Sequence, residues 1–206
     1  MIEETQEKIK KIKQSFRLMM NGETSRSMRD KGVLYNINWG VPIPLLKEKA
    51  KEYGKDYELA VELWKEDIRE CKILATMIMP SEQMPLVVVD IWMEQIKSQE
   101  MAEIAAFNLF QYLDYAPVLA FKLMASDNDI RQTCAYHILA RLFMNGQEPN
   151  ERGINEFLDQ VSIALQSETF SVRHAAATCL HRFALLGDEY DVIARNALKP
   201  VNLDFF

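Results

Sequence analysis

Apolar residues recur along most of the chain at intervals of three and four, the period of a helix with one buried face. Short breaks carrying Asn, Gly, Pro or Asp separate these segments and set the expected boundaries. A first helix is predicted over about 3–20, closed by Asn21-Gly22, and a short one follows over about 25–31. The stretch GVLYNINWGVPIP is the least helical, because Gly40, Pro42 and Pro44 force a loop and Pro44 suits a helix start. LLKEKAKEY then runs to Gly54. Further helices are predicted in DYELAVELWKE, DIRECKILATMIM, MPLVVVDIWMEQIKS, EMAEIAAFNLFQYL, APVLAFKLMA, DIRQTCAYHILARLFMNG, NERGINEFLDQVSIALQ and SVRHAAATCLHRFA. Only VVV at 87–89 is rich in β-formers, and a helix-length pattern surrounds it. The chain reads as all-α, about a dozen helices whose short connections imply antiparallel neighbours.

Three of these segments resemble one another. DIRECKILATMIM, DIRQTCAYHILARL and SVRHAAATCLHRFA each open with a polar residue, a β-branched residue and an arginine, then continue with small and apolar residues. The arginines are Arg69, Arg131 and Arg173, 62 and 42 residues apart. The shorter spacing matches a HEAT-type two-helix repeat, and the longer one leaves room for a less regular unit over 84–112. Such repeats stack because each buries a face that it cannot cover alone. The organisation expected is one domain over 1–206, with N-terminal helices in 1–32, a loop in 33–44, stacked helix pairs in 45–198 and a tail in 199–206.

Composition narrows the function. Hydrophobic residues make up 49%, enough for a sizeable core, and the net charge is −6, from 24 Lys and Arg against 30 Asp and Glu. That balance argues against a generic polyanion binder but leaves room for a basic stripe on one face. Cys71, Cys134 and Cys179 are widely spaced and embedded in apolar pattern, which suits reduced core thiols. No apolar run is long enough for a membrane span, and the charged start MIEETQEKIKKIKQSF has no export signature, so a cytoplasmic chain is expected.

The chemistry-bearing residues have two readings each. Arg69, Arg131 and Arg173 could neutralise phosphates, or pair with acids of the neighbouring repeat, Asp67, Asp127 and Asp129 being near in sequence. His174 and His181 are seven apart, about 10 Å by helical rise, whereas a zinc pair prefers i, i+4. No metal site is expected. Their stripe, Ser171, His174, Thr178 and His181, is polar, while Val172, Ala176, Cys179 and Phe183 form the apolar side. Glu100 and Glu103 could stabilise a cationic intermediate or favour a helix N-terminus. Trp64 and Trp92 fit the core, and Trp39 fits a loop position, either exposed or packed. No phosphate loop, HExxH, CxxC or nucleotide fingerprint occurs, so no cofactor is expected.

One segment carries more. NWGVPIPLLKEKAKEYGKDYELAVELWKEDIRECKILATMIMP holds a Gly-Val-x-x-Pro turn opening a basic helix, then LAxELWxxxxxExxxLA and a closing proline. It resembles the DNA alkylation repair enzyme family, HEAT-like DNA glycosylases, most closely over 35–80 and again in ASDNDIRQTCA and VRHAAATCLHRFA. The resemblance implies a right-handed α-solenoid whose concave basic face holds duplex DNA and releases cationic alkylated purines without flipping the base. The family lines its site with Trp-Asp-x-x-Asp, an arginine and a second tryptophan. Carried over by position, the motif falls on Gln99-Glu100-Met101-Ala102-Glu103, the arginine on or near Thr133, with Arg131 two residues away on a different helical face, and the second tryptophan on or near Thr178. The aromatic walls, which would face a cationic base through their π-faces, are thus absent.

The resulting expectation is duplex DNA held through Lys47, Lys51, Arg69, Lys72, Arg131 and Arg173, with the helix after Pro44 offering its N–H groups to a phosphate. Gln99, Thr133, His174, Thr178 and His181 would line the groove, and Glu103, with Glu100, would carry whatever excision survives. The alternative is a non-catalytic HEAT-like scaffold for a protein partner.

Overall fold

The computed structural model describes residues 2–33 and 35–198; the tail expected at 199–206 lies outside the described residues. The chain forms two compact units, one running through Leu109 and one beginning at Phe110. The division falls within the stretch expected as continuous helix pairs. Among the described residues no helix is long and apolar enough to cross a membrane.

The first unit contains α1 (Ile2–Leu18), α2 (Gly22–Asp30), α3 (Ile43–Tyr53), α4 (Tyr57–Lys65), α5 (Arg69–Ile78), α6 (Leu86–Gln95) and α7 (Gln99–Asn108). Asn21, expected as a break, is the N-cap of α2: its Oδ1 accepts from Thr24 N at 3.0 Å, and the helix therefore starts earlier than predicted. Pro44 occupies the first turn of α3, where its missing N–H costs nothing, and Gly54 closes that helix at φ 67°. α5 lies at the centre, against α3, α4 and α7, and every residue from Arg69 to Thr76 is buried. Trp64 and Trp92 are buried and stack at 4.0 Å with only 3° between their planes. α7 ends sooner than its apolar pattern suggested. Leu109 and Phe110 are both fully buried, and the chain leaves the helix and enters a 3-10 turn at Phe110–Tyr112. Successive helical residues point about 100° apart, so a break lets both side chains be enclosed.

The second unit contains α8 (Ala116–Met124), α9 (Asp129–Met144), α10 (Glu151–Ala164), α11 (Phe170–Ala184) and α12 (Asp188–Leu198). α9 packs on α8 and α11, and α11 on α10 and α12. Val172, Ala176, Cys179 and Phe183 point into the core, as their spacing predicts. Phe183 meets Phe143, Phe157 and Tyr190 at centroid distances of 5.5, 5.2 and 5.2 Å, an aromatic cluster drawn from four helices.

All three thiols are fully buried, and burial raises each above the ordinary thiol range. An unfolded chain would therefore ionise them first, at about pH 8.5. Above that point the native state holds more protons, so stability falls as pH rises. The native protein is expected to be silent towards a thiol reagent at neutral pH and to release three equivalents in denaturant; a fast equivalent from the native state would contradict the burial.

Candidate nucleic-acid interface

The loop from Tyr35 to Pro42 is bound to the start of α5 by backbone and side chain together. Ile37 pairs with Ile68 as a short parallel bridge, Ile37 N donating to Asp67 O and Arg69 N donating to Ile37 O. Glu70, fully buried, accepts from Trp39 N at 3.2 Å and Val41 N at 3.1 Å. Gly40 has φ +69°, and a Cβ there would stand 2.3 Å from Asn21 O and 2.8 Å from Ser25 N, so only glycine fits where the loop passes α2.

Arg69 closes the clasp. It is 2% exposed; its Nε donates to both oxygens of Glu100 at 3.0 and 3.1 Å, and its Nη1 donates to Val41 O. Burial works against its charge, but the hydrogen bond and charge of Glu100, with the charge of Glu70, outweigh it and hold its pKa above the usual value. The phosphate role expected for Arg69 is corrected: its guanidinium is enclosed and fully engaged. Its partners are Glu100 and Glu70, not Asp67. Glu100 is likewise committed, since it also accepts from the Tyr35 hydroxyl at 3.4 Å. A carboxylate held this way anchors the start of α7.

Lys72 is corrected for the same reason. It is 5% exposed, and its ammonium donates to Trp64 O and Gln95 Oε1 at 3.3 Å each and lies 4.6 Å above the Trp64 ring. Burial lowers its pKa, with Asp67 opposing and Lys97 adding to the shift. The lysine borders a cleft of about 600 Å³ that Tyr35, Lys97 and Ser98 also line, yet its charge is already shared among three groups.

On α7, Ser98 caps the helix by accepting from Met101 N, and Gln99 and Glu103 are exposed. Glu103 has no partner among the described residues. Lys47 and Lys51 project from α3 into solvent, Lys47 with its ammonium 5.9 Å from the centre of the Phe107 ring. These four remain accessible on the first unit.

The second unit treats its two arginines differently. Arg131 is half-exposed, and its side chain has no partner among the described residues. The Nη1 of Arg173 donates to Ser167 O and Glu168 O, tying down the link between α10 and α11. Thr133 is fully buried, which corrects its expected place on a groove; its hydroxyl finds no hydrogen bond among the described residues. Thr178 is half-buried, and His174 and His181 are exposed, with His174 stacked on the exposed Phe170 at 5.7 Å. Among the described residues no group of three or more His, Cys, Asp or Glu is placed to hold a metal ion.

A further cationic group lies outside the predicted set. Lys10, Lys13 and Arg17 stand at i, i+3 and i+7 on α1 and line a second cleft with Trp39. The signal was present in KIKKIKQSFR, where basic residues keep helical spacing.

The comparisons with known proteins extend these observations. The family model for DNA alkylation repair enzyme matches residues 12–185. A solved structure superposes with a TM-score of 0.83 at 18% identity, over 93% of this chain and 82% of that one. It comes from a family of proteins related to the HEAT-like repeat DNA glycosylases with affinity for branched DNA structures. At that identity the likeness establishes the all-α, HEAT-like fold. No match was found among curated protein sequences.

Proposed function

Since the chain belongs to the DNA alkylation repair enzyme family, we propose that it binds duplex and branched DNA in the cytoplasm without efficient base excision. The observation that carries this reading is the state of α7. Where the family places a tryptophan and two aspartates, this chain has an exposed glutamine, a glutamate locked to Arg69, and an exposed glutamate without a partner among the described residues. Stabilising a developing oxocarbenium ion needs a preorganised charge in a site that excludes water, and Glu103 has neither. Residues 99–103 offer no ring to face a cationic base. Binding needs less: accessible cations suffice to neutralise phosphates. Lys47, Lys51 and Arg131 meet that need, and Arg173 adds its remaining donors. Branched DNA enters the proposal through the likeness to a family with affinity for it.

Anisotropy with labelled duplex and four-way-junction DNA at low salt is expected to give binding that weakens linearly in log salt. In K47E/K51E the slope should fall by about two, one for each lost phosphate contact. Methylated duplex should release no free purine above background. No binding at micromolar protein would reject the reading, and purine release abolished in Glu103→Gln would restore excision to it.

A second reading, a scaffold for a protein partner, draws on α6, whose Leu86, Val87 and Ile91 are exposed. It is favoured if both DNAs fail to bind.

A further inference from the structure

The α1 stripe faces a cleft of about 480 Å³. Lys13 is ion-paired with Glu66 at 2.9 Å, while Lys10 and Arg17 are exposed and have no partner among the described residues. Among the described residues, Glu66 is the one carboxylate in the lining, against three cations. The opposite wall is apolar and aromatic: Ile37 is 40% exposed, and the half-buried Trp39 rests on Phe16 with ring centroids 6.1 Å apart. The main chain that carries the ring is held from both sides, since Trp39 N donates to Glu70 and Trp39 O accepts from Asn21 N at 2.8 Å. Charge along one wall and an aromatic ring on the other is the combination that binds unpaired strands: cations track the backbone while bases stack. A duplex keeps its base faces covered and could use only the cations.

We propose that this cleft takes a single-stranded DNA segment, with phosphates on Lys10 and Arg17 and a base against Trp39. The inference rests on the DNA-binding reading and adds to it a strand class and a separate place on the first unit. Trp64 and Trp92 are 1% and 2% exposed, so Trp39 is the tryptophan a strand can reach.

The test compares a three-way junction carrying an unpaired oligothymidine arm with the same junction fully paired, by anisotropy and tryptophan emission. The arm should quench the emission and tighten binding. Trp39→Phe should remove the quench, and Trp39→Leu should weaken arm binding by about 5- to 100-fold. K10E/R17E should lower the salt slope for the arm by about 1.4, from two contacts at the single-strand value. The paired junction should bind the Trp39 variants as it binds the wild type, and K10E/R17E should weaken it less than it weakens the arm. Variants are matched by melting temperature, and the neutral K10A/R17A serves if the charge reversal lowers it. Equal binding of both junctions, or wild-type arm affinity in Trp39→Leu and K10E/R17E, overturns the cleft while leaving the DNA reading intact. Failure of every variant and the wild type to bind either junction overturns both.

Discussion

Glu70→Ala is expected to destabilise the first unit by about 3–5 kcal/mol, the range for removing one partner of a buried ion pair. The side chain is fully enclosed and serves three donors: Trp39 N, Val41 N and, at 3.4 Å, Arg69 Nη1. Alanine would strand two backbone N–H groups inside the protein and leave the buried guanidinium with Glu100 alone as carboxylate partner. Glu70→Gln keeps the shape and one acceptor oxygen but loses the charge, so about 1–3 kcal/mol is expected. Urea unfolding followed by tryptophan emission reads this directly, because Trp39, Trp64 and Trp92 all lie in the first unit. A loss below about 1 kcal/mol for the alanine variant would mean that water replaces the carboxylate and that the clasp is not what holds the loop.

Phe183→Ala should cost about as much in the second unit, about 3–5 kcal/mol, by a different mechanism. The ring is fully buried and touches aromatic neighbours on α9, α10 and α12 at once. Its removal takes away transfer free energy and leaves a cavity whose walls, set on separate helices, cannot all close in. With no tryptophan in this unit, far-UV circular dichroism is the probe. Phe183→Leu, which fills much of the space, should recover a large part of the loss; equal loss in both variants would show that shape, not volume, decides the site.

How much of this was legible beforehand depended on whether the cause lay in local pattern or in distant partners. The helices and the inward face of α11 followed from period alone, and the family from LAxELWxxxxxExxxLA and its flanking prolines. α12 was not placed, although Asp188 and Glu189 in its first turn and Arg195 near its end are the charge signature of a helix. The three arginines look equivalent in sequence, yet their neighbours give one to a buried clasp, one to backbone carbonyls and leave one half-exposed. Glu70 entered only as the second glutamate of LAxELWxxxxxExxxLA, with no role, because its partners are the backbone N–H groups of a loop about thirty residues earlier. No side-chain pattern records such a bond. Lys72 misled for the converse reason: a lysine in a basic-looking helix reads as exposed until the Trp64–Trp92 stack that receives it is in place.

The backbone from Ile37 to Val41 is fixed chiefly by groups outside it: Asp67 and Arg69 main chain, the Glu70 carboxylate, the Ser25 hydroxyl and Asn21. Within the loop, the Asn38 side chain adds a bond to Gly40 N, whereas the side chains of Ile37 and Trp39 supply none of this hydrogen bonding. Frame and display are therefore separable. Residues 37 and 39 can be exchanged to retune what the first unit recognises while the frame stays intact, which makes this loop a natural grafting position for altered strand preference.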